Sequence, residues 1–313
     1  LGATGTTGRA TLQALAQRGH EVVAFVRPCR ERGEAPPGAG WREGDVLDPA
    51  SLARDGFRGE RFDVLVSCLA SRTGVPADAW AIDYQAHLHA LEAARAAGVS
   101  QVVLLSAICV QKPRLAFQHA KLAFEHVLMQ SDIEWTIVRP TAFFKSLSGQ
   151  VARVQAGKPF LGFGNGRVRA CKPISDRDLA RFLTGCLSDA QARNTILPIG
   201  GPGPAITPLD QAHRLFDLLG REPRIRHVPV AMMDVLAGVA GTLGIASGKL
   251  RDKAECVRTG RFYATESMLV WDAAKGRYDA QATPEFGSET LWDHYGDLIA
   301  GRARTDLGAH AMF

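Results

Sequence analysis

Four apolar runs, separated by helical stretches, constrain the fold of this chain more than any other feature. The runs are EVVAFVR at 21–27, DVLVSCLA at 63–70, QVVLLSA at 101–107 and EWTIVRPT at 134–141. Each run is continuous rather than alternating, which is typical of parallel strands that are covered on both faces. The predicted helices start near Gly8 and span 83–97 and 115–129. This alternation predicts right-handed βαβ units in a doubly wound, mostly parallel α/β sheet.

The segment GATGTTG ends one expected strand and opens the first helix. It places Gly2, Gly5 and Gly8 three residues apart. Glycines at this spacing allow a tight turn, a close approach of the backbone to a diphosphate, and close packing of the helix on the sheet. The N–H groups at the start of the helix then face the phosphates. The segment predicts a dinucleotide site in a Rossmann fold, and a plain glycine-rich turn is the alternative. The other candidate contacts in this turn are Thr4, Thr6 and Thr7.

Arg27 stands at the end of the second expected strand, with Arg30 and Arg32 nearby. NAD enzymes usually carry an acidic residue at this point, which binds the ribose 2′-hydroxyl. A guanidinium instead favours a 2′-phosphate through charge-assisted hydrogen bonds. We therefore predict NADPH rather than NADH as the cofactor, with a solvated surface arginine as the alternative.

Further cofactor contacts are expected where the later strands end, because ligands of such sheets bind along the carboxyl edge. The candidates are Asp45 and Val46 after the third strand, Cys68, Leu69 and Ala70 after the fourth, and Pro140 and Thr141 after the sixth.

The expected domain organisation follows from where the regular pattern stops. Residues 1–155 are predicted to form the NADPH-binding Rossmann domain, with its first strand truncated because LGATG reads as the end of a strand. From about Gly157 the pattern becomes irregular, and helices start again at Asp176 and Pro208. We expect 156–302 to form a smaller substrate-binding region interleaved with the core, and 303–313 to be a flexible tail.

The most apolar stretch is VPVAMMDVLAGVAGTLGIASG at 228–248. It contains Asp234 and several glycines, which argues against a membrane span. A buried helix, a lid over an apolar substrate and a contact with a membrane surface stay open as interpretations.

Composition excludes several classes of function. The net charge of the 313 residues is +5, without a long basic run or interleaved aromatics, so we expect no nucleic-acid partner. The six cysteines form no CxxC pair, which argues against zinc and iron–sulfur sites and favours buried reduced thiols. The Ala-, Arg- and Gly-rich composition is typical of a GC-rich bacterium, which argues against a transit peptide, so we expect a cytoplasmic protein. Since the sequence shows no heptad pattern and no exposed apolar stripe, we expect a monomer, and peripheral contact with a membrane stays open.

Longer segments carry a more specific resemblance. LLSAICVQKPRLAFQHAKLAFE, WTIVRPTAFFKSLSGQV, GKPFLGFGNGRVRACKPISDRDLA and FYATESMLVWD resemble the 3,8-divinyl chlorophyllide 8-vinyl reductases. These are atypical short-chain dehydrogenases/reductases, close to the isoflavone-reductase-like and NmrA-like branch. The resemblance covers nearly the whole chain. It implies NADPH-dependent reduction of the 8-vinyl group of divinyl chlorophyllide to ethyl, in chlorophyll or bacteriochlorophyll synthesis.

Lys121 is the principal catalytic candidate and also a cofactor-binding candidate, with a surface lysine as the alternative. Three roles stay open for it: binding of the nicotinamide ribose, a positive field near the developing negative charge, and relay of a proton. The superfamily often has Tyr four residues before this Lys, but this chain has Phe117, as the resembled family does. A vinyl group on a tetrapyrrole can spread negative charge into the conjugated ring, so we expect a strong fixed acid to be less necessary than correct positioning. Ser106 is a second candidate, for catalysis or for a hydrogen bond at the strand end. His119 is a weaker one.

The substrate implied by the resemblance is a large flat ring with a propionate. Phe117, Phe143 and Phe144 are candidates for an apolar wall, with plain core packing as the alternative. Candidates for the carboxylate contact are Lys112, Arg114, Lys145 and Lys172, with a solvated surface charge as the alternative for each. We expect the magnesium to arrive with the substrate, so no protein metal site is implied. Two alternative functions remain: an NmrA-like NADP-binding redox sensor, and a reductase of another conjugated ring substrate.

Overall fold

The structure, a computed structural model, describes residues 1–29, 34–232 and 248–303. The strands are Val22–Val26 (β1), Ala39–Glu43 (β2), Val64–Ser67 (β3), Gln101–Leu105 (β4), Glu134–Pro140 (β5), Phe160–Phe163 (β6), Thr195–Ile199 (β7), Ile225–Val228 (β8), Val270–Asp272 (β9) and Arg277–Asp279 (β10). The α-helices are Thr6–Gln17 (α1), Pro49–Ser51 (α2), Pro76–Ala79 (α3), Ala86–Ala96 (α4), Ala116–Met129 (α5), Phe144–Leu147 (α6), Val151–Gln155 (α7), Asp176–Gly185 (α8), Pro208–Leu218 (α9), Gly248–Thr265 (α10) and Leu291–Ile299 (α11).

The main sheet is parallel throughout, in the order β3-β4-β5-β7. All five residues of β4 are buried, as expected for a central strand with both faces covered. β4 pairs with β5 in a register that sets Val102 beside Trp135. The predicted parallel α/β fold is therefore confirmed, and the apolar runs end within a few residues of the observed strands.

Helices cover both faces of this sheet. On one face, Val102 and Leu104 pack with Phe124 and Leu128 of α5. On the other, Val103 and Leu105 pack with apolar side chains of α8, including Leu179. Because successive side chains of a strand point to opposite faces, one continuous apolar run supplies both cores. The sheet is doubly wound, as the alternating pattern predicts.

The first residues lie beside β3. The amide N–H of Cys68 donates to the carbonyl oxygen of Leu1 over 3.0 Å, and the nitrogen of Leu1 donates to the carbonyl oxygen of Val66 over 2.7 Å. β1 and β2 form a separate parallel pair, whose Ala24 and Val26 share a core cluster with Ala3. The glycine-rich turn therefore starts at the carboxyl edge of the parallel strands.

The second half of the chain contributes to both regions. β7 is an edge strand of the main sheet, whereas β6 with β8 and β9 with β10 form two small sheets of their own. Phe144 and Val154 pack in one core cluster with Phe160, Phe216 and other residues from the second half. The expected division into domains, with its boundary at residue 155, stays a prediction.

Some predictions fall on residues that the structure does not describe. Arg30, Arg32, Asp234 and most of 228–248 lie outside the described residues, as do positions 304–313 of the expected tail. Among the residues that are described, no helix is both long and apolar enough to cross a membrane.

Candidate active site

Packing dictates two of the three glycines in the opening turn. Gly2 has φ of +76°, and a Cβ there would lie 2.5 Å from the backbone of Cys68. A Cβ on Gly8 would lie 2.0 Å from the carbonyl oxygen of Gly2. At Gly5 the nearest atom would be 3.5 Å away, which is an ordinary contact. The turn itself needs Gly2 and Gly8, and Gly5 leaves open space on its outer side.

The open side of the turn is the start of α1. Gly5 is the N-cap and has no side chain to satisfy the first N–H groups of the helix, and the first turn contains no acidic residue. Thr4, Gly5 and Thr6 are exposed. Free N–H groups and the positive end of the helix dipole suit a diphosphate, so these residues fit a dinucleotide.

Thr7 connects this turn to the second half of the chain. Its hydroxyl donates to Asp176, the first residue of α8. Burial raises the pKa of the Asp176 carboxyl, while the Thr7 hydrogen bond and the charge of Lys145 act in the opposite direction. Because the Thr7 hydroxyl proton is used here, a phosphate contact by Thr7 would come from its backbone N–H.

The adenosine end of the predicted site is only partly exposed. Arg27 follows β1 directly and is exposed. Asp45 follows β2 and accepts a hydrogen bond from the N–H of Leu47 over 2.9 Å. Val46 is buried in a cluster with Phe25, so most of its side chain is not available to a ligand. The predicted roles of Arg27, Asp45 and Val46 stay predictions.

The segment after β3 carries three further candidates. Cys68 and Leu69 are half-buried and Ala70 is exposed. Burial raises the pKa of the Cys68 thiol, so it stays a neutral side chain at this edge. The next residue, Ser71, donates its backbone N–H to Asp83 over 3.2 Å.

Lys121 is not a surface lysine. Its side chain is only 10% exposed, and its Nζ lies 3.0 Å from Oδ1 of Asp83, whose side chain is fully buried. Asp83 is held in a π-helical turn, Trp80–Gln85, which continues directly into α4. The pair therefore connects this turn to α5, and Asp83 also contacts the segment after β3 through Ser71.

The position of α5 is fixed by contacts at its N-terminus. Gln118 is fully buried, accepts the N–H groups of Arg114 and Leu115, and donates to the carbonyl oxygen of Cys109 over 3.1 Å. Glu255 of α10 accepts the N–H of Ala116 over 2.9 Å. The Glu255 contact satisfies one orphan donor of the helix, and the Gln118 contacts tie the first turn of α5 to the segment before it.

His87 stands one turn after Asp83 and is neutral. Its Nδ1 donates to the carbonyl oxygen of Ile82 over 2.9 Å, so its Nε2 accepts the hydroxyl of Ser67 over 2.9 Å. Burial, aided by the charge of Lys121, lowers the pKa of His87 to about 4. Lys121 and Asp83 are thus the two charged side chains of this pocket, which also contains Ser106.

Ser106 takes part in a buried network. Its hydroxyl donates to Glu125 of α5, which also forms an ion pair with Arg139 of β5. Glu125 has no exposed side-chain surface. This is the strand-end hydrogen bond that the sequence left as an alternative, and it leaves only the lone pairs of the Ser106 oxygen for a ligand.

The remaining cofactor candidates and the aromatic candidates lie at the end of β5. Pro140 and Thr141 are buried, and the Thr141 hydroxyl donates to the carbonyl oxygen of Lys172. Phe144 is 5% exposed and belongs to the core. Phe143 and Phe117 are half-buried, so these two rings retain surface that a ligand could contact. His119 is exposed.

The basic candidates for a carboxylate differ in their partners. Lys112 lies 2.9 Å and Arg114 3.1 Å from carboxylate oxygens of Glu266. Lys172 is buried and lies 2.5 Å from Glu285. Lys145, half-buried in α6, forms no ion pair with any described residue.

The six cysteines are free. Cys109, Cys171 and Cys186 are buried, as expected for structural thiols, whereas Cys29 is exposed. The described residues hold no cluster of three metal-ligating side chains. The predicted monomeric state and peripheral membrane contact stay predictions.

Sequence reasoning missed Asp83 and the Glu125–Arg139 pair. Asp83 and Glu125 are buried acidic residues. Their basic partners, Lys121 and Arg139, lie on other elements, so no local spacing in the sequence connects the members of either pair. The available signal was an acidic side chain on the inner face of a predicted helix, where a buried charge needs a partner.

Comparisons with known proteins agree with this geometry. A family model described as NAD(P)H-binding matches residues 2–190. The chain is 46% identical over 327 residues to the chloroplastic divinyl chlorophyllide a 8-vinyl-reductase of Oryza sativa subsp. indica, covering 100% of this chain and 81% of the rice protein. It is 45% identical to the Zea mays protein of the same name, over 100% of this chain and 82% of that one.

The NADPH-dependent quinone oxidoreductase QOR2 of Escherichia coli, solved with NADPH, has the same fold. The two chains align with a TM-score of 0.65 at 19% identity, covering 95% of this chain and 98% of that one. The fold, the glycine-rich turn and the full-length similarity place this chain in the divinyl chlorophyllide a 8-vinyl-reductase family, as an oxidoreductase with an NAD(P)H-binding Rossmann domain.

Proposed function

We propose that this protein reduces the 8-vinyl group of divinyl chlorophyllide a to an ethyl group, with NADPH as the reductant. The product is a monovinyl chlorophyllide for chlorophyll or bacteriochlorophyll synthesis. The observation that carries the proposal is the 46% identity to the rice enzyme across the whole chain. The site supports it, because it has a dinucleotide turn and a buried lysine but Phe117 where a carbonyl reductase would need a phenol.

NADPH supplies the hydride when it is bound. The N–H groups at the start of α1 hold its diphosphate, and Arg27 at the end of β1 binds the 2′-phosphate that distinguishes it from NADH. Lys121 binds the nicotinamide ribose and so fixes the ring beside the substrate. The protein's contribution is mainly positioning, since a negative charge beside the tetrapyrrole spreads into the ring.

The substrate lies at the carboxyl edge of the sheet. Phe117 and Phe143 contact the flat ring, because both are half-buried aromatic side chains. Phe143 lies three residues after β5, and Phe117 lies in the first turn of α5. Lys145 binds the propionate, since the other three basic candidates are paired with Glu266 or Glu285. Phe144 supports this wall from the core rather than contacting the ring.

The test is a pigment assay with the purified protein. Protein, NADPH and divinyl chlorophyllide a are mixed, and the pigments are separated by chromatography with mass detection. We expect an NADPH-dependent product that has gained two hydrogens. Lys145→Gln should raise the KM for the pigment with little change in kcat, and Lys112→Gln is the matched basic control.

A different result would assign a different function. Tight NADPH binding without any pigment product would favour an NADP-binding redox sensor. NADPH consumption with another conjugated ring compound, but not with chlorophyllide, would favour a reductase of that compound.

A further inference from the structure

We propose that Asp83 is the positioning residue for Lys121, and that NADPH binding depends on the buried ion pair between them. The inference rests on the proposed contact of Lys121 with the nicotinamide ribose. It does not depend on which pigment is the substrate, because its main measurement is cofactor affinity.

Both members of the ion pair are buried. Lys121 Nζ lies 3.0 Å from Asp83 Oδ1, with side chains that are 10% and 0% exposed. An ammonium at this depth needs a nearby opposite charge, because desolvation of an unpaired ion is unfavourable. Lysine also has a flexible four-carbon stem, so a single fixed partner largely determines where its Nζ lies.

Asp83 also connects the lysine to the loop predicted to border the cofactor. The same Oδ1 that contacts Lys121 also accepts the backbone N–H of Ser71 over 3.2 Å. Ser71 directly follows Cys68, Leu69 and Ala70, the loop predicted to border the cofactor. One carboxylate oxygen thus holds both the side chain and the loop, so its loss would disturb both.

Asp83 accepts hydrogen bonds from no described residue other than Lys121 and Ser71. Its Oδ2 is buried and has no hydrogen-bond partner among the described residues. The carboxylate borders a cavity of about 10 Å³ lined also by His87, Ser106 and Lys121, which is about the space that one water molecule needs. His87 is occupied by Ile82 and Ser67, so it does not compete for the lysine.

The experiment is a double-mutant cycle on NADPH affinity. The dissociation constant for NADPH is measured by fluorescence titration for the wild type, Asp83→Asn, Lys121→Met and the double variant. We expect each single variant to bind NADPH about 10-fold more weakly or worse. The double variant should be no weaker than the weaker single variant, because residues that act as a unit are not additive.

The matched control is Asp178→Asn. Asp178 is equally buried and paired with Arg181, but it lies in the first turn of α8 and holds the backbone N–H groups of Ser288 and Glu289. We expect Asp178→Asn to lower the melting temperature while leaving the NADPH dissociation constant, and the effect of Lys121→Met on it, unchanged.

Two results would overturn the proposal: wild-type NADPH affinity in Asp83→Asn, or effects of the two single variants that multiply in the double variant. If Asp83→Asn alone does not fold, the double variant should recover folding, because it removes both buried charges; failure to recover would also count against the pair. Coupled NADPH binding without pigment reduction by the wild type would uphold this proposal and refute the proposed function.

Discussion

Gly5 and Gly8 lie in the same turn, but the structure predicts different outcomes when each is replaced by alanine. Gly8→Ala should lower folding stability, whereas Gly5→Ala should weaken NADPH binding. A Cβ on Gly8 would lie 2.0 Å from the carbonyl oxygen of Gly2 and 3.0 Å from Cα of Ala3. Both contacts are to backbone atoms, so no side-chain rotation relieves them. A Cβ on Gly5 would have its nearest neighbour at 3.5 Å.

The expected cost of Gly8→Ala comes from two opposing effects. Overpacking a tight site costs about 1–3 kcal/mol, and rigid backbone neighbours place Gly8 near the upper end. Alanine returns about 1 kcal/mol through its better helix propensity, since Gly8 lies within α1. The net loss of about 2 kcal/mol corresponds to a melting temperature lower by roughly 3 °C in a chain of this size.

Gly5→Ala should leave folding stability almost unchanged. Its φ is −72°, which alanine adopts freely. The loss of a glycine N-cap and the lower backbone entropy of the unfolded chain act in opposite directions, each by up to about 1 kcal/mol. The new methyl group would occupy the open side of the turn, so NADPH should bind at least ~10-fold more weakly.

Two measurements check this pair of variants: thermal unfolding without cofactor, and NADPH titration by fluorescence. Gly8→Ala should lose thermal stability, and Gly5→Ala should lose affinity without losing stability. An unchanged NADPH dissociation constant in Gly5→Ala would mean that the diphosphate binds elsewhere. An unchanged melting temperature in Gly8→Ala would refute the packing argument.

Three further predictions concern other parts of the site. Arg27→Ala should lower the preference for NADPH over NADH, measured as the ratio of kcat/KM values, because it removes the guanidinium proposed to bind the 2′-phosphate; an unchanged ratio would remove Arg27 from the site. Glu125→Gln should destabilise the fold by about 3–5 kcal/mol in denaturant unfolding, since it leaves Arg139 without its buried partner; a loss below 1 kcal/mol would show that water reaches this pair. Below about pH 6.5 the free energy of unfolding should fall by up to ~1.4 kcal/mol per pH unit, until about pH 4. In this range the imidazole of His87 is protonated in the unfolded chain but stays neutral at its buried position in the folded protein. His87→Gln should flatten that part of the stability curve, and an unchanged slope would assign it to another group.

The strands and the glycine-rich turn were predictable because their signals are local. The run QVVLLSA is continuous because Val102 and Leu104 face one helix layer while Val103 and Leu105 face the other. Gly2 and Gly8 are dictated by contacts within the turn or with the adjacent strand end. A sequence pattern reports such constraints directly, since the residues that impose them are close by in the chain or repeat with the period of the element.

The partners of the charged residues were not predictable in this way. Ser106 reads as a strand-end serine, but its hydroxyl is committed to Glu125 and through it to Arg139. Lys172 reads as a surface lysine of an irregular segment, yet it is buried against Glu285. These pairs form only after separate elements pack, so burial and pairing depend on the tertiary fold rather than on local spacing.

Phe117 and Asp83 give a common account of the chemistry of this site. In a carbonyl reductase, the positive charge of the lysine would act beside a tyrosine hydroxyl one helical turn earlier. Here Phe117 stands one turn before Lys121, and a carboxylate 3.0 Å from Nζ compensates the ammonium charge. A lysine paired with a carboxylate adds little net positive field to the site. Without a tyrosine hydroxyl at position 117, no phenol is present for such a field to act on. What the lysine retains is a fixed Nζ with hydrogen-bond donors left for a ribose, so the site suits a reduction in which cofactor position matters more than acid strength.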